Sequence, residues 1–448
     1  MKQKIWFWSM VSALAGFLFG FDTVVISGAD QTLQNLWGSS DQFHGFWIMG
    51  SALFGTVIGA LLGSIPTNKI GRKETLILIG ILYVLSAIGS ASANNPYLFG
   101  LFRFIGGLGV GASTIAAPVY ISEISPPKFR GRLVGLYQFN IVFGILIAFL
   151  SNYLISRLYI SPNAWRIMIG IEAIPALIYS ILVFKIPKSP RWLITKNRIP
   201  EAKKVLTIVD PTKDINDLIN NIQSETNKSI NKISAIFNKK YRFALMLTFF
   251  IAFFNQLSGI NAFLYYAPRI FEAGGLGEES ALFSSVGVGL VNLLFTLLGI
   301  VLIDRYGRKK LLFLGSIGYV ISLSLVSATF LIQWKGSLLP PFFFLFIAAH
   351  AIGQGTVIWV YISEIFPNLL RDIGQSFGSS VHWILAWIIP SLIPFLFTSI
   401  GPGLVFSIFA GMMFLQLLFV IWVMPETKGI PLEILSKKLE RKTNSPKP

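Results

Sequence analysis

Three charged residues stand alone inside long apolar runs of the first half of this chain: Asp22, Arg103 and Glu172. A charge is costly in hydrocarbon, so each requires a partner or a task. Opposite charge beside a carboxyl favours its ionised form, whereas desolvation favours the neutral one. An acid held between those two influences can take up or release a proton as its neighbours move. The competing explanation is a static triad that ties three helices together. Five amides occupy equally apolar runs: Gln138, Asn255, Gln256, Asn261 and Asn292. A buried amide is expensive unless satisfied. Each therefore bonds to another helix or to a ligand rich in hydroxyl groups. Aromatic faces complement such a ligand by covering its C–H surface. His382, beside Trp383, adds an imidazole that can bond a hydroxyl, titrate near neutral pH or serve structure alone.

The elements that must position these groups are membrane spans. The chain has 448 residues, 54% hydrophobic and only 13% charged, with a mean hydropathy of +0.67. A soluble protein of this length needs more charge to cover its surface. Runs of roughly 20 apolar residues, enough to cross about 30 Å of hydrocarbon, recur throughout. They fall near 5–29, 43–65, 75–93, 97–120, 132–155, 165–186, 241–267, 281–303, 311–333, 341–362, 373–399 and 403–424. The pattern predicts an all-α integral membrane protein of twelve spans. A six-helix bundle occupies 1–186, a polar linker 187–240, a second bundle 241–424 and a polar tail 425–448. The first span lacks a small-residue cleavage site and reads as a retained helix. Short amphipathic helices are expected at Pro200 to Val209, Ile215 to Ile222 and Pro431 to Arg441, with a disordered linker as the rival. Breakers mark four spans: Gly16 and Gly20 in the first, Gly259 with Pro268 in the seventh, Gly353 and Gly355 in the tenth, Pro390 and Pro394 in the eleventh. Interrupted helices line cavities or move in carriers. Gly106, Gly107, Gly109 and Gly111 read instead as close packing.

The net charge of +17 is unevenly placed: 32 of the 37 basic residues fall on one side of the predicted spans. This positive-inside asymmetry puts both termini and the linker in the cytoplasm, so a bilayer accounts for the charge and no nucleic-acid partner is called for. With no cysteines and three scattered histidines, neither disulfides nor a metal site is expected. No nucleophile–base pair stands out as it would in an enzyme, and no cofactor is implied.

The chain is also duplicated. Val119-Tyr120-Ile121-Ser122-Glu123-Ile124 returns as Val360-Tyr361-Ile362-Ser363-Glu364-Ile365, each followed by a proline (Pro126, Pro367) and an arginine (Arg130, Arg371) at equal spacing. Asn68-Lys69-Ile70-Gly71-Arg72-Lys73 pairs likewise with Asp304-Arg305-Tyr306-Gly307-Arg308-Lys309. Two like halves in a very apolar chain point to a transporter with its site where the repeats meet. The repeated charges suggest a lock: Glu123 with Arg130 and Glu364 with Arg371, pairing with Arg72 and Arg308 when the inner side is closed. Topology-setting charge is the alternative, and explains the lysines better than the glutamates.

These repeats, with Pro187-Lys188-Ser189-Pro190-Arg191-Trp192-Leu193, Asn255-Gln256-Leu257-Ser258-Gly259-Ile260-Asn261 and Pro425-Glu426-Thr427-Lys428-Gly429, resemble the sugar porter family of the major facilitator superfamily, in order and over essentially the whole chain. The resemblance implies two six-helix bundles, alternating access and a monosaccharide or related polyol as substrate. It implies proton coupling through Asp22 with Arg103 and Glu172. Its sugar positions fall on Gln138, Gln256, Asn261 and Asn292, and less securely on Asn255, with Phe19, Tyr265, Trp359 and Trp383 as aromatic lining and His382 beside it. Tyr265 and Tyr266 are placed like an outer gate. Three departures stand out: Lys188 where the family has Glu, Asn255 where Gln is common, and Asp372 where Gly follows the arginine. The first leaves an ion pair missing or replaced, and the second shifts or weakens a sugar contact. The combined expectation is a proton:monosaccharide symporter of the plasma membrane, or bacterial inner membrane, that works as a monomer. A facilitative uniporter and a sugar sensor are the rivals; sensors of this fold usually add long tails.

Overall fold

The computed structural model describes residues 2–126, 128–209, 216, 219, 222, 236–367, 370–430 and 435. Among them the regular structure is helical, and eleven helices are long and apolar enough to cross a bilayer. They are Gln3–Gly28, Ser51–Lys69, Arg72–Ser92, Pro96–Ile124, Arg130–Leu158, Ala164–Val183, Lys239–Ala273, Glu278–Tyr306, Arg308–Leu331, Gly336–Ile365 and Arg371–Trp422. The last has 52 residues and turns at Gly401, whose φ of +80° is open to glycine, just before Pro402. It therefore holds the eleventh and twelfth spans, and the twelve-span expectation stands. The expected start of the second span at 43 lies just before a π-helical turn, His44–Met49, and the membrane-length helix begins at Ser51.

Membrane solvation is visible in which faces are buried. On the eighth span Ser285, Asn292 and Thr296 face inward, whereas Leu290, Leu294, Leu298 and Val301 face out. A helix in water would reverse that pattern; in lipid the apolar face is the outer one.

Packing divides the chain into two compact units, one of Met1–Leu33 with Ser51–Ile230, the other of Gln34–Gly50 with Asn231–Pro448. The first is built around Leu18, Leu76, Tyr83, Ala116, Tyr120 and Tyr179, all fully buried. In the second, the Gln34–Gly50 segment is held by Asp41, which accepts from Thr398 Oγ1 at 2.6 Å and Gln34 Nε2 at 2.7 Å, while Gln34 accepts from Arg269. These bonds, that of Thr398 foremost, hold the Asp41 carboxyl below its usual range.

The breakers behave differently from one another. The first span does not break: a Cβ on Gly20 would lie 1.9 Å from the carbonyl oxygen of Ile141, so this glycine lets the first and fifth spans touch. Gly107 approaches Ala52 in the same way, as close packing requires. The seventh and tenth spans do break. Gly259, with φ of +79°, separates Arg242–Leu257 from Ile260–Ala273, and Gly353 separates Leu339–Ile352 from Gln354–Ile365. Pro390 and Pro394 lie within a run that continues past them to Gly401. In the linker, Ile199–Val209 forms the helix expected at 200–209. The expected helices at Ile215 to Ile222 and Pro431 to Arg441 lie outside the described residues, apart from residues 216, 219, 222 and 435.

Candidate functional site

Asp22, Arg103 and Glu172 meet inside the first unit, each about 1% exposed. Asp22 comes from the first span, Arg103 from the fourth, and Glu172 from the turn that interrupts the sixth. The Arg103 guanidinium donates through Nη1 to the Asp22 carboxylate and through Nη2 to its backbone carbonyl at 3.0 Å. Glu172 faces this pair, and Asp22 and Arg103 are the charges that act on it. Two carboxyl groups around one guanidinium leave one negative charge over when both are ionised, and a single proton removes it. The buried hydroxyl of Tyr83 lies in the field of both acids, and Ser86 Oγ and Asp22 Oδ1 both lie near where a Cβ on Gly106 would stand. Phe19, one turn before Asp22, is half-buried; Gln138, half-buried on the fifth span, stands next to Tyr137, whose hydroxyl bonds Ser113 at 3.1 Å.

The second unit gathers the amides. The break at Gly259 ends one helix just after Asn255 and Gln256 and starts the next at Ile260, so Asn261 can reach back. Asn261 Nδ2 donates to Gln256 Oε1 at 2.9 Å, and Gln256 Nε2 donates to Asn255 Oδ1 at 3.0 Å and to the His382 ring at 3.2 Å. Trp359 and Trp383 flank His382 edge-on, with ring centroids 5.1 and 5.0 Å away. Asn292 accepts from Thr296 at 3.4 Å. Tyr265 and Tyr266 are buried, and Tyr266 departs from helical geometry (φ −122°, ψ 18°) two residues before Pro268. Of the expected amides in this unit, Asn255, Gln256 and Asn261 are thus joined in one cluster.

The repeated motifs build matching structures at the charged ends of the spans. Arg72 bonds Glu123 with both prongs of its guanidinium, each at 2.9 Å, and Arg308 bonds Glu364 in the same way at 3.0 and 2.8 Å. Ser189 donates a further bond to Glu123 and Thr427 one to Glu364, at 2.5 and 2.6 Å. Arg130, exposed, and Arg371, half-buried, start the helices that follow their glutamates. Lys188, the departure from the family pattern, pairs with Glu74 at 2.7 Å, so the ion pair is replaced rather than missing. Its counterpart Glu426 accepts from the backbone N–H groups of Arg308 and Lys309, capping their helix. Burial pushes the Glu426 carboxyl up, but four backbone N–H bonds outweigh it and hold the group below its usual range.

Several groups escape a reading of the sequence. Gln354 and Gln416, fully buried, join the amide cluster. His350 bonds the Tyr319 hydroxyl. The glutamines meet the same test as the other amides, a polar side chain in an apolar span. Ser189 and Thr427 emerge once Pro187-Lys188-Ser189 is aligned with Pro425-Glu426-Thr427.

Fold, buried ion triad and amide cluster define a multi-pass helical membrane carrier. Residues 8–439 match the family model described as Sugar (and other) transporter. The chain is 33% identical to the D-xylose-proton symporter of Escherichia coli (strain K12), over 97% of this chain and 96% of that protein. It is 33% identical to the arabinose-proton symporter of Bacillus subtilis (strain 168), covering 96% and 94%. Its fold matches the partially occluded inward-open xylose transporter XylE from E. coli with a TM-score of 0.85 at 30% identity, over 96% of this chain and 100% of that one. The chain belongs to the sugar porter family of the major facilitator superfamily.

Proposed function

We propose that this protein imports a monosaccharide by proton symport through alternating access. The observation that carries the reading is the Arg103–Asp22 pair with Glu172 facing it, buried in a chain whose similar relatives are named as proton symporters of sugars. Asp22 is the proton carrier, Arg103 the counter-ion that releases it, and Glu172 the second acid that senses the change. Gln138, Gln256, Asn261 and Asn292 pair with sugar hydroxyls, Asn255 supports them, and Phe19, Trp359 and Trp383 cover the ring, with His382 setting hydroxyl choice. Tyr265 and Tyr266, beside the kink before Pro268, form the outer gate. The Arg72–Glu123 and Arg308–Glu364 pairs, with Arg130 and Arg371 at the neighbouring helix starts, lock the cytoplasmic side. The two units act as the moving bodies of a monomer in the plasma membrane, with both termini in the cytoplasm.

The test is uptake into proteoliposomes from a panel of radiolabelled pentoses and hexoses, with and without an inward proton gradient. Accumulation above the external concentration only with the gradient supports symport. Equal, purely equilibrating uptake in both conditions makes the protein a uniporter and the triad structural.

A further inference from the structure

We infer that Gln354 is a positioning residue for sugar recognition, fixing which end of each amide in the Asn255, Gln256 and Asn261 cluster donates and which accepts. An amide presents two N–H donors at one end and an acceptor oxygen at the other, so its orientation decides what a ligand meets. In this unit the orientation is imposed by backbone. Gln354 Nε2 donates to the carbonyl of Ile251 at 3.4 Å and to Gln416 Oε1 at 2.8 Å. A carbonyl can only accept, so the Gln354 oxygen must face the other way, where Asn255 Nδ2 lies 3.5 Å off. Asn255 then turns its oxygen to Gln256 Nε2, and Gln256 turns its oxygen to Asn261 Nδ2. The far end is fixed too: Gln416 Nε2 donates to Ser316 Oγ at 2.7 Å, and Ser316 donates to the carbonyl of Leu312 at 2.7 Å.

Every link thus donates in one direction, from Asn261 towards Leu312. Gln354 and Ser316 are fully buried and Gln416 is 1% exposed, so these links are shielded from bulk solvent. Two consequences follow. Asn255, with both ends of its amide engaged, acts through Gln256 rather than on a ligand. Asn261, half-buried, spends one N–H on Gln256 and keeps its oxygen wholly free to accept, so the sugar hydroxyl that meets that oxygen must donate. The break at Gly353 is what delivers Gln354 to this place, as the first residue of the helix that follows.

This inference rests on the sugar-site reading above, and its test separates the two. Binding to the purified full-length protein is measured for D-xylose, L-arabinose, D-galactose and D-glucose, then for monodeoxy and deoxyfluoro derivatives of the tightest. Fluorine accepts weakly and cannot donate. At one hydroxyl the fluoro sugar should therefore bind no better than the deoxy sugar, both about tenfold below the parent. Gln354→Met keeps the shape and removes the polarity. It should weaken the parent sugar about tenfold and shrink the fluoro penalty at that hydroxyl to threefold or less, leaving the other hydroxyls as they were. Gln416→Met should give the same pattern at smaller amplitude. Equal weakening of every analogue, unchanged discrimination, or loss of the folded carrier in both variants would make the chain a helix clamp and overturn the inference. Gln256→Ala and Asn261→Ala run in parallel. Full affinity in those two, or no sugar bound by the native protein, removes the sugar site itself and this inference with it.

Discussion

The first unit buries charge and the second buries neutral amides, although both descend from one duplicated sequence. In the first, Asp22, Arg103 and Glu172 come together. In the second, the polar interior is amides, hydroxyls and imidazoles bonded to one another. At the charged ends of the spans the units instead agree almost bond for bond: arginine on glutamate, hydroxyl on glutamate, lysine on a backbone carbonyl. Duplication has kept its copies alike where both perform one task and let them diverge where the tasks differ. Under the proposed function the shared task is closing the cytoplasmic side, while proton carriage falls to the first unit and most of the sugar-pairing amides to the second.

The comparison also explains Lys188. A carboxylate oxygen lies against the positive-φ glycine of each repeated Gly-Arg-Lys loop, Glu74 by Gly71 and Glu426 by Gly307, where an added Cβ would stand 2.9 and 2.6 Å from it. In one unit that acid belongs to the helix and the loop supplies the lysine; in the other the loop supplies the acid and the helix supplies N–H groups. The place of the charge is common and its owner has changed.

The sharpest way to break the contrast is to remove the cation. Arg103→Met leaves two buried carboxyl groups without their counter-ion, and should lower stability by about 3–5 kcal/mol. A thermal melt in detergent reads this, and partial rescue by adding Asp22→Asn would tie the loss to charge. A small change would mean that the triad is already solvated. Next in size, Gln138→Ala, Gln256→Ala and Asn261→Ala should each weaken sugar binding by about 1–3 kcal/mol with normal expression. Loss of folded protein instead would make these amides structural.

The shared ends are tested by Glu123→Gln and Glu364→Gln. Under the proposed lock each removes a partner only in the closed-inside state, and about 1.4 kcal/mol of such differential would move the equilibrium tenfold towards inward-open. Labelling of cysteines introduced along the inner vestibule should rise in both. The effect should be greater at Glu123, whose side chain is 9% exposed against 22% for Glu364, because a drier pair is screened less. Unaltered labelling would leave these charges a topological role only.

The smallest effect concerns Glu426. Its folded-state carboxyl lies below the ordinary value, so the stabilisation is present above the unfolded pKa of 4.5 and is lost as pH falls through the lower folded one. Glu426→Gln should destabilise by about 0.5–2 kcal/mol at pH 7, the range for a helix cap, and the gap from the native protein should close on acidification below 4.5. A gap that persists in acid would assign the loss to packing.

The spans, the duplication and the triad were legible in the sequence, because a bilayer makes each charge and each apolar run conspicuous. What escaped was orientation. Gly16 and Gly20 look like a hinge, yet Gly20 packs on Ile141; whether a glycine bends or packs depends on what lies opposite it. Gln354 and Gln416 are as conspicuous as Gln256 in composition, but their link depends on the break at Gly353, which delivers one side chain to the seventh and twelfth spans. The pairing of Glu123 and Glu364 with Arg72 and Arg308, far along the chain, was expected from the repeats; Arg130 and Arg371, at equal spacing after the glutamates, instead start the helices that follow.

The central claim is that proton carriage resides in the buried Asp22 triad of the first unit and is separable from sugar recognition by the amides. Asp22→Asn separates them: it keeps the size and polarity of the side chain and removes the titrating group. In proteoliposomes, counterflow exchange of labelled sugar and accumulation driven by a proton gradient are measured on the same preparation. The account predicts that exchange persists while accumulation above the external concentration disappears. Continued accumulation in response to the gradient would contradict it and place the coupling group elsewhere.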